Sequence, residues 1–248
     1  MTRVTDDEAF VPEVRVSGSL RALHFSEAEI QSRMSVLNPD ALDLEYTRLM
    51  MGFLLFNPAP TRVSMVGLGG GSLAKFCHRH ISSAHIDIVE IDPAVIALRD
   101  DFLIPPDSAR FEVVLGDGAR YIQDRVDTTD VLLVDGFGIG GIPDVLCSQA
   151  FYADCHAALT EQGIMVANFH LNHPDHETYL DRIRASFGSS MFEVIDDDMT
   201  NSVVFACKGD LFGDLDDISI KRPASVSRDA WRQLMPTFKV IAATLTPR

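Results

Sequence analysis

The sequence has few cysteines, little positive charge and no long apolar run. Its four cysteines show neither C-x-x-C spacing nor a paired metal-binding pattern, so we expect reduced thiols that pack as small hydrophobic side chains. They are Cys77, Cys147, Cys155 and Cys207. No apolar run reaches the roughly 18 residues of a membrane-spanning helix, and residues 6–8 are acidic where a secretory signal would be apolar. We therefore expect a cytoplasmic protein.

Negative charge predominates over the whole chain. Lys and Arg number 21 against 36 Asp and Glu, which gives a formal net charge of −15. Such a chain is repelled by phosphate groups, so we expect neither nucleic acid nor an anionic membrane as a partner. A cationic substrate would be attracted, but most charge of this kind lies on a solvated surface and keeps a protein soluble. The charge therefore excludes partners and does not identify one.

Residues 62–76 combine an apolar run, a group of glycines and a second apolar run with helical spacing. This order predicts a strand, a tight turn and a helix. The glycines of the turn are Gly67, Gly69, Gly70 and Gly71. Glycines permit positive φ and let a ligand approach the backbone, while the N-terminus of the following helix offers unpaired N–H groups. We therefore expect a nucleotide-like ligand on this turn.

Strand and helix patterns alternate along the middle of the chain, and the strands are almost entirely apolar. The predicted strands are 63–66, 86–91, 111–115, 131–134 and 164–168, and the predicted helices are 71–80, 93–102, 119–126 and 148–159. Such units form a parallel sheet covered on both faces, with ligands at the carboxyl ends of its strands. An antiparallel pair at 191–195 and 203–207 is predicted to close the sheet, with Asp196–Asp198 in a solvated turn. The fold class is α/β, a doubly wound, Rossmann-like and mostly parallel sheet.

Three parts are predicted along the chain. They are an N-terminal arm and small β-hairpin region at 1–45, a Rossmann-like domain at 46–208 and a tail with one helix at 209–248. The hairpin has strands at 14–16 and 20–25 around a glycine-containing loop at 17–19. A third strand at 30–36 and a helix at 41–56 lead into the large domain.

Polar groups follow consecutive strands: the glycine turn, then Glu90, Gly116-Asp117-Gly118 and Asp135. Because the carboxyl ends of parallel strands meet at one edge, we expect these groups to form one site. A NAD site needs Gly or Ala at Ser72 and offers no role for Asp117 or Asp135. The adenosine of a sulfonium cofactor gives every turn a role. The glycines then lie under its tail, Glu90 binds the ribose, Asp117 lies near the adenine amine, and Asp135 faces the sulfonium.

These motifs, with Tyr46 and Leu49-Met50 upstream, resemble the spermidine/spermine synthase family of aminopropyltransferases, which has a class I methyltransferase-like fold. The resemblance covers residues 14–207. It implies transfer of an aminopropyl group from decarboxylated S-adenosylmethionine to a di- or polyamine in polyamine biosynthesis, with release of 5′-methylthioadenosine. It also implies a homodimer, because the family forms dimers. By motif, it assigns Asp135 as the catalytic aspartate, Tyr46 as the substrate-site tyrosine, Glu90 as the ribose ligand, Asp117 with Gly118 on the adenine side, and Gln31 as a cofactor-contacting glutamine.

Two positions depart from the family pattern. At Gly70 and Gly138 the family carries aspartates that are expected to select the decarboxylated cofactor. A carboxylate there pairs with the amine of that cofactor and repels the α-carboxylate of S-adenosylmethionine. An S-adenosylmethionine-dependent methyltransferase on the same site is therefore an open alternative. A non-catalytic adenosyl-binding protein is another.

Asp135 is the predicted catalytic group because an attacking amine must be neutral. An alkylammonium with a pKa of about 10 is only about 0.1% neutral at pH 7. A carboxylate assists mainly by positioning the amine and guiding its proton. The alternative is that Asp135 only caps the loop at 136–141, whose glycines suit a mobile lid.

His170, His173 and His176 are spaced three apart after the last parallel strand. Pro174 interrupts any helix that could align them as metal ligands, so we expect a polar loop near the substrate and no metal.

Overall fold

The computed structural model describes residues 11–25, 30–138, 140–212 and 220–245. The arm predicted at the N-terminus lies almost wholly outside these ranges. The described chain forms one sheet of three strands and one of seven. None of the helices in these ranges combines the length and hydrophobicity that a membrane span requires.

The three-stranded sheet is antiparallel, with its strands in chain order. They are β1 (Glu13–Ser17), β2 (Leu20–His24) and β3 (Ile30–Ser35). The predicted hairpin and third strand are confirmed. The hairpin loop is shorter than expected, because Ser17 pairs with Leu20 and leaves only Gly18 and Ser19 to make the turn.

The seven-stranded sheet has the order β6-β5-β4-β7-β8-β10-β9. Its strands are β4 (Arg62–Val66), β5 (His85–Glu90), β6 (Phe111–Leu115), β7 (Thr129–Val134), β8 (Leu159–His170), β9 (Met191–Ile195) and β10 (Asn201–Cys207). The first five in this order are parallel, and β10 is antiparallel to both of its neighbours. The chain runs outward from β4 to β6 and then returns to the other side of β4, so a crevice opens between β4 and β7. The predicted fold class is confirmed.

Seven α-helices fall within the described residues. They are α1 (Glu45–Met50), α2 (Ser72–His80), α3 (Pro93–Ala97), α4 (Gly118–Gln123), α5 (Gln149–Ala158), α6 (His176–Phe187) and α7 (Arg228–Leu245). Short 3-10 helices follow α1 at Met51–Leu55 and precede α5 at Asp144–Cys147.

Strand β7 shows how the large sheet is buried. Its residues Val131 and Leu133 join one apolar cluster, and Leu132 and Val134 join a second. All four are at most 4% exposed. Because successive side chains of a strand point to opposite faces, both faces of the sheet are covered. The site must therefore lie at an edge of the sheet, where the strands end.

The small sheet packs against α2 and shares the first cluster. Leu23 of β2 and Met34 of β3 are fully buried in it. Lys75 of α2 is also buried, and its ammonium donates hydrogen bonds to Met34 Sδ and to the carbonyl of Phe102, both at 2.8 Å. Burial lowers the pKa of Lys75 to about 8, although Asp40 opposes this effect. These contacts hold β3 beside the glycine turn that precedes α2.

Two predicted helices differ in extent. The helix expected at 41–56 begins at Glu45 and tightens into a 3-10 helix from Met51. In that tight segment Gly52 lies so close to Phe205 that a Cβ would be 2.8 Å from its ring. The helix that begins at Pro93 ends at Ala97 rather than near 102. The chain there turns Phe102 fully into the core.

Helix α6 is missing from the sequence-based prediction. Its buried apolar side chains nevertheless stand at helical spacing: Tyr179, Leu180, Ile183 and Phe187. Pro174 lies before the helix, which begins at His176, and so does not interrupt it. The proline therefore marks the approach to a helix here and not its absence.

Candidate active site

A cavity of about 650 Å³ opens at the carboxyl ends of β4, β5, β7 and β8, with β3 and α1 on its other side. Its volume is typical of a small-molecule site. The predicted site residues at its wall are Gln31, Tyr46, Gly67, Gly69, Gly70, Glu90, Asp117, Gly118 and Asp135. Gly71 is the exception: it is the N-cap of α2, and a Cβ there would lie 2.5 Å from Ile104 Cγ1. The structure thus brings nine of the ten predicted residues to one cavity.

Glu90 ties the glycine turn to the end of β5. Its carboxylate accepts one hydrogen bond from the backbone N–H of Leu68 and one from that of Asp92, both at 2.9 Å. Gly67 has a φ of +95° and lies against the backbone of Asp135, so a side chain there would collide. Each oxygen of Glu90 keeps a lone pair after these bonds. The carboxylate can therefore also accept hydrogen bonds from two neighbouring hydroxyls of a ligand.

Asp117 is both a helix cap and a cavity residue. Its Oδ1 accepts a hydrogen bond from the backbone N–H of Arg120 at 3.0 Å, which makes it the N-cap of α4. The same side chain stands at the cavity wall. One carboxylate oxygen is thus used in capping, and the other is available to a ligand.

Asp135 follows β7 directly and sits at the centre of a hydrogen-bonded group. Asn168 of β8 donates a hydrogen bond from Nδ2 to Asp135 Oδ1 at 3.0 Å. Burial raises the pKa of Asp135 to about 6, although hydrogen bonds from Asn168 and Tyr46 act in the opposite direction. Burial and the charge of Asp135 raise the pKa of Tyr46 well above its usual value, so Tyr46 stays a neutral donor. At neutral pH the group therefore presents a mostly ionised carboxylate that accepts protons better than an ordinary aspartate.

Asn168 is a site residue that the sequence pattern did not single out. It is only 3% exposed, and its Oδ1 has no hydrogen-bond partner among the described residues. A buried amide oxygen without a donor is costly, and it invites a donor from a ligand. An asparagine within the apolar run 164–169, at the carboxyl end of a predicted strand, was the available clue.

The three histidines after β8 have different surroundings. His170 lines the cavity and stacks on Phe137, with ring centroids 4.6 Å apart. His173 stacks on Tyr179, and Nε2 of His176 lies 2.8 Å from Glu193 Oε1. Only the first therefore belongs to the cavity, where it meets the glycine-rich loop that follows Asp135.

The turn between β9 and β10 was expected to be solvated, and that expectation is wrong for Asp196 but confirmed for Asp197 and Asp198, which are exposed. Asp196 is only 5% exposed, and Asp196 and Asp198 both stand at the cavity wall. Burial opposes the charge of Asp196, but donors from Asn201 and Thr200 outweigh it and lower the pKa of that carboxyl. Glu45 of α1 reaches the same region, and burial and the charge of Asp197 raise its pKa. Asp196 therefore turns inward, and Asp196 and Asp198 add negative charge to the cavity.

The charge of the cavity is one-sided. Six carboxylates line it: Glu45, Glu90, Asp117, Asp135, Asp196 and Asp198. The described lining residues include no lysine and no arginine. Opposite charges attract most strongly where water is partly excluded, so this cavity favours a cationic occupant.

A family model, the spermine/spermidine synthase domain, matches residues 43–196, which is more than half of the chain. The chain belongs to the spermine/spermidine synthase family. A curated polyamine aminopropyltransferase from Chromobacterium violaceum is 38% identical over 187 residues, which cover 74% of this chain and 72% of that relative. The family resemblance drawn from the sequence motifs is confirmed, and this family member is a transferase.

Solved structures agree with the fold of this family member. A probable spermidine synthase from Corynebacterium glutamicum matches with a TM-score of 0.72 and 18% identity, over 97% of this chain and 93% of that one. Human methyltransferase-like protein 13, solved in complex with SAH, matches with a TM-score of 0.60 and 22% identity, over 83% of this chain and 94% of that one. Similarity at these identities establishes the methyltransferase-like fold and not the activity.

Proposed function

We propose that this chain transfers an aminopropyl group from decarboxylated S-adenosylmethionine to a di- or polyamine and releases 5′-methylthioadenosine. Aminopropyl transfer in polyamine biosynthesis is the activity of its curated relatives. The observation that carries the proposal for this chain is the group of Asp135, Tyr46 and Asn168 at the wall of an acidic cavity. An amine acceptor and a sulfonium cofactor are both cations, and both suit that cavity.

The adenosine end of the cofactor fits the side of the cavity formed by β5 and the start of α4. Glu90 retains acceptor capacity for the ribose hydroxyls, and the free oxygen of Asp117 can accept from the adenine amine. Ile91 is 67% exposed and stands at the cavity wall with Val145, so the adenine ring has apolar surfaces to contact. This placement leaves the glycine turn for the tail of the cofactor.

The acceptor amine is assigned to the side of Asp135. Aminopropyl transfer joins the amine nitrogen to the carbon beside the sulfonium sulfur, which takes the electron pair of the broken C–S bond. Asp135 accepts the proton that the amine must lose, and its raised pKa makes it a better acceptor than an ordinary aspartate. Asn168 Oδ1, which has no donor among the residues that the structure describes, accepts a hydrogen bond from the same amine and orients it.

Charge favours the decarboxylated cofactor over the intact one. Decarboxylated S-adenosylmethionine carries a sulfonium and an ammonium, whereas the intact cofactor adds a carboxylate. Six carboxylates at the wall stabilise the former and repel the added carboxylate of the latter. The cavity as a whole therefore supplies negative charge that the family pattern would place at Gly70 and Gly138.

Product analysis tests the proposal directly. The protein is incubated with each cofactor and a panel of putrescine, cadaverine and spermidine, and the products are identified by mass spectrometry. Aminopropylated amines and 5′-methylthioadenosine with the decarboxylated cofactor are the expected result. Methylated products from S-adenosylmethionine would instead identify a methyltransferase, the alternative raised by Gly70 and Gly138. A protein that binds either cofactor but forms no product would be a non-catalytic adenosyl-binding protein.

A further inference from the structure

The cavity wall beside Gly70 is formed by Ser32 of β3. A Cβ on Gly70 would lie 2.5 Å from Ser32 Oγ, 2.9 Å from Ser32 Cβ and 3.0 Å from Phe102 Cδ1. Contacts this short force neighbouring atoms to move, and Phe102 is fully buried in the core, whereas Ser32 lines the cavity. An aspartate at position 70 would therefore have to displace Ser32 and Phe102, because Ser32 occupies the space that its side chain would need.

Ser32 faces a second buried hydroxyl across this space. The Oγ atoms of Ser32 and Ser72 are 3.5 Å apart, and the two residues are 6% and 8% exposed. Both stand at the cavity wall. Each hydroxyl has one donor and two acceptor lone pairs, so one long hydrogen bond between them leaves acceptor positions unused. An ammonium group that enters beside Gly70 would find two oxygen acceptors there.

The geometry points to Ser32 as the residue that binds the ammonium of the cofactor's tail, with Ser72 as its partner, and so favours the cofactor over 5′-methylthioadenosine. This inference rests on the proposed function, which puts the tail of the cofactor over the glycine turn. The hydroxyl pair replaces, as hydrogen-bond acceptor, the carboxylate that the family pattern places at position 70. It does not replace the charge of that carboxylate, which the other carboxylates at the cavity wall supply.

A neutral acceptor has a distinct consequence for selectivity. The intact and the decarboxylated cofactor both carry the tail ammonium, and 5′-methylthioadenosine lacks it. Ser32 therefore strengthens binding of both cofactors by a similar factor and does not affect binding of 5′-methylthioadenosine. A carboxylate in the same place would instead strengthen binding of the decarboxylated cofactor alone, because it would repel the α-carboxylate of the intact one.

Isothermal titration of the Ser32→Ala variant tests this assignment. A hydrogen bond to a charged group is strong enough that its loss should weaken binding of decarboxylated S-adenosylmethionine about tenfold. Binding of 5′-methylthioadenosine should stay within about twofold of the unsubstituted protein, since no hydrogen bond to it is lost. Ser72→Ala should act in the same direction. Ser35→Ala, on the same strand but away from the cavity, is the matched control and should change neither affinity.

Three outcomes would overturn the assignment. Equal weakening of both ligands by Ser32→Ala would mean that Ser32 only shapes the cavity. An unchanged affinity for decarboxylated S-adenosylmethionine would mean that the ammonium lies elsewhere. If the unsubstituted protein bound neither ligand, the proposed function itself would be contradicted, and the Ser32 assignment with it. A melting curve of each variant, measured beside the titration, shows whether the fold is retained.

Discussion

At the scale of single residues, burial and hydrogen bonding act in opposite directions on Asp135. Burial disfavours its charge, and the donors Asn168 and Tyr46 favour it, with a net pKa of about 6. Perturbed carboxyls of this kind mark functional sites, because a proton acceptor works best when its pKa approaches the working pH. If Asp135 only capped a loop, this burial would be unfavourable, because it disfavours the charged carboxylate that accepts the capping hydrogen bonds.

Replacement of Asp135 by asparagine separates catalysis from folding. Asparagine can still accept the hydrogen bond from Asn168, so the fold should be retained. Loss of the proton acceptor should lower kcat by about 10² or more. Steady-state kinetics with putrescine would measure this, and a melting curve would confirm the fold. Unchanged turnover would show that Asp135 has no catalytic role.

The activity should depend on pH through the same carboxyl. Protonated Asp135 cannot accept a proton from the amine, so kcat/KM should fall as the pH decreases through about 6. A pH profile of kcat/KM measured from pH 5 to 8 tests this. A profile that stays flat across pH 6 would contradict the assignment of Asp135 as the proton acceptor.

The free energy of unfolding should depend on pH in the opposite direction to kcat/KM. The pKa of Asp135 is higher in the folded protein than in the unfolded chain, so its protonation favours folding. This stabilisation is complete below the unfolded pKa of about 4 and is lost as the pH rises through about 6. Asp135→Asn removes the effect. Its melting temperature, relative to the unsubstituted protein, should therefore rise between pH 5 and pH 8, and a constant difference would argue against a buried charge.

At the scale of structural elements, two turns differ in whether they can regain an aspartate. Gly70 faces Ser32, and a side chain there would have to displace Ser32 and Phe102. Gly138 lies in a turn closed by backbone hydrogen bonds with Gly141, and a Cβ there would have its nearest neighbour at 3.8 Å. Packing therefore disfavours an aspartate at position 70, whereas it does not disfavour one at position 138.

This difference predicts contrasting variants. Gly70→Asp should destabilise the protein by about 1–3 kcal/mol through overpacking and should abolish cofactor binding. Gly138→Asp should leave the melting temperature unchanged and lower the KM of decarboxylated S-adenosylmethionine, since it adds a carboxylate at the cavity wall. Gly138→Asn is the uncharged control and should not lower the KM. Equal destabilisation by both aspartates would refute the packing argument.

The loop between β9 and β10 carries a prediction about the acceptor. Asp198 is exposed at the cavity mouth, so Asp198→Asn should raise the KM of the amine several-fold by weakening its attraction. Affinity for 5′-methylthioadenosine should not change. Glu161→Gln removes the same charge from an exposed site at the other end of β8 and should have no effect on either constant. If both variants raise the KM equally, the loop has no special role.

At the scale of the whole molecule, the sequence predicted those site residues whose position follows from one rule of parallel sheets. Glu90, Asp117 and Asp135 were found because polar residues at the carboxyl ends of apolar strands meet at one edge. Ser32 and Asp196 could not be found in this way. Their places depend on how the small sheet packs on α2 and on how Asp196 turns inward from the loop between β9 and β10, and neither leaves a periodic pattern in the sequence.

Helix α6 and the ends of α1 and α3 were missed or misjudged for a related reason. Spacing alone could have indicated α6, but the preceding proline obscured it. The early end of α3 depends on the burial of Phe102, which is a tertiary contact. Local propensity predicts that an element exists, and packing against the rest of the chain decides where it ends.

The four cysteines offer a probe of the whole fold. All are buried and unpaired, and burial raises the pKa of Cys147 to about 11 and raises those of the other three. The folded protein should therefore resist a thiol reagent at neutral pH, and all four thiols should react after denaturation in urea. With a thiol reagent that releases a chromophore, absorbance measures the number of thiols that have reacted. Rapid reaction of any thiol in the native protein would contradict its burial.

The contact between Ser32 and Gly70 also restricts the order in which the two positions can change. If the aspartate arises at position 70 before Ser32 changes, its side chain collides with Ser32 and the intermediate protein is destabilised. A change of Ser32 to glycine that comes first removes the two shortest contacts of the Cβ at position 70 and leaves only Phe102 Cδ1, at 3.0 Å, to give way. The two substitutions are therefore not additive, and the mutational path that changes Ser32 first avoids the less stable intermediate.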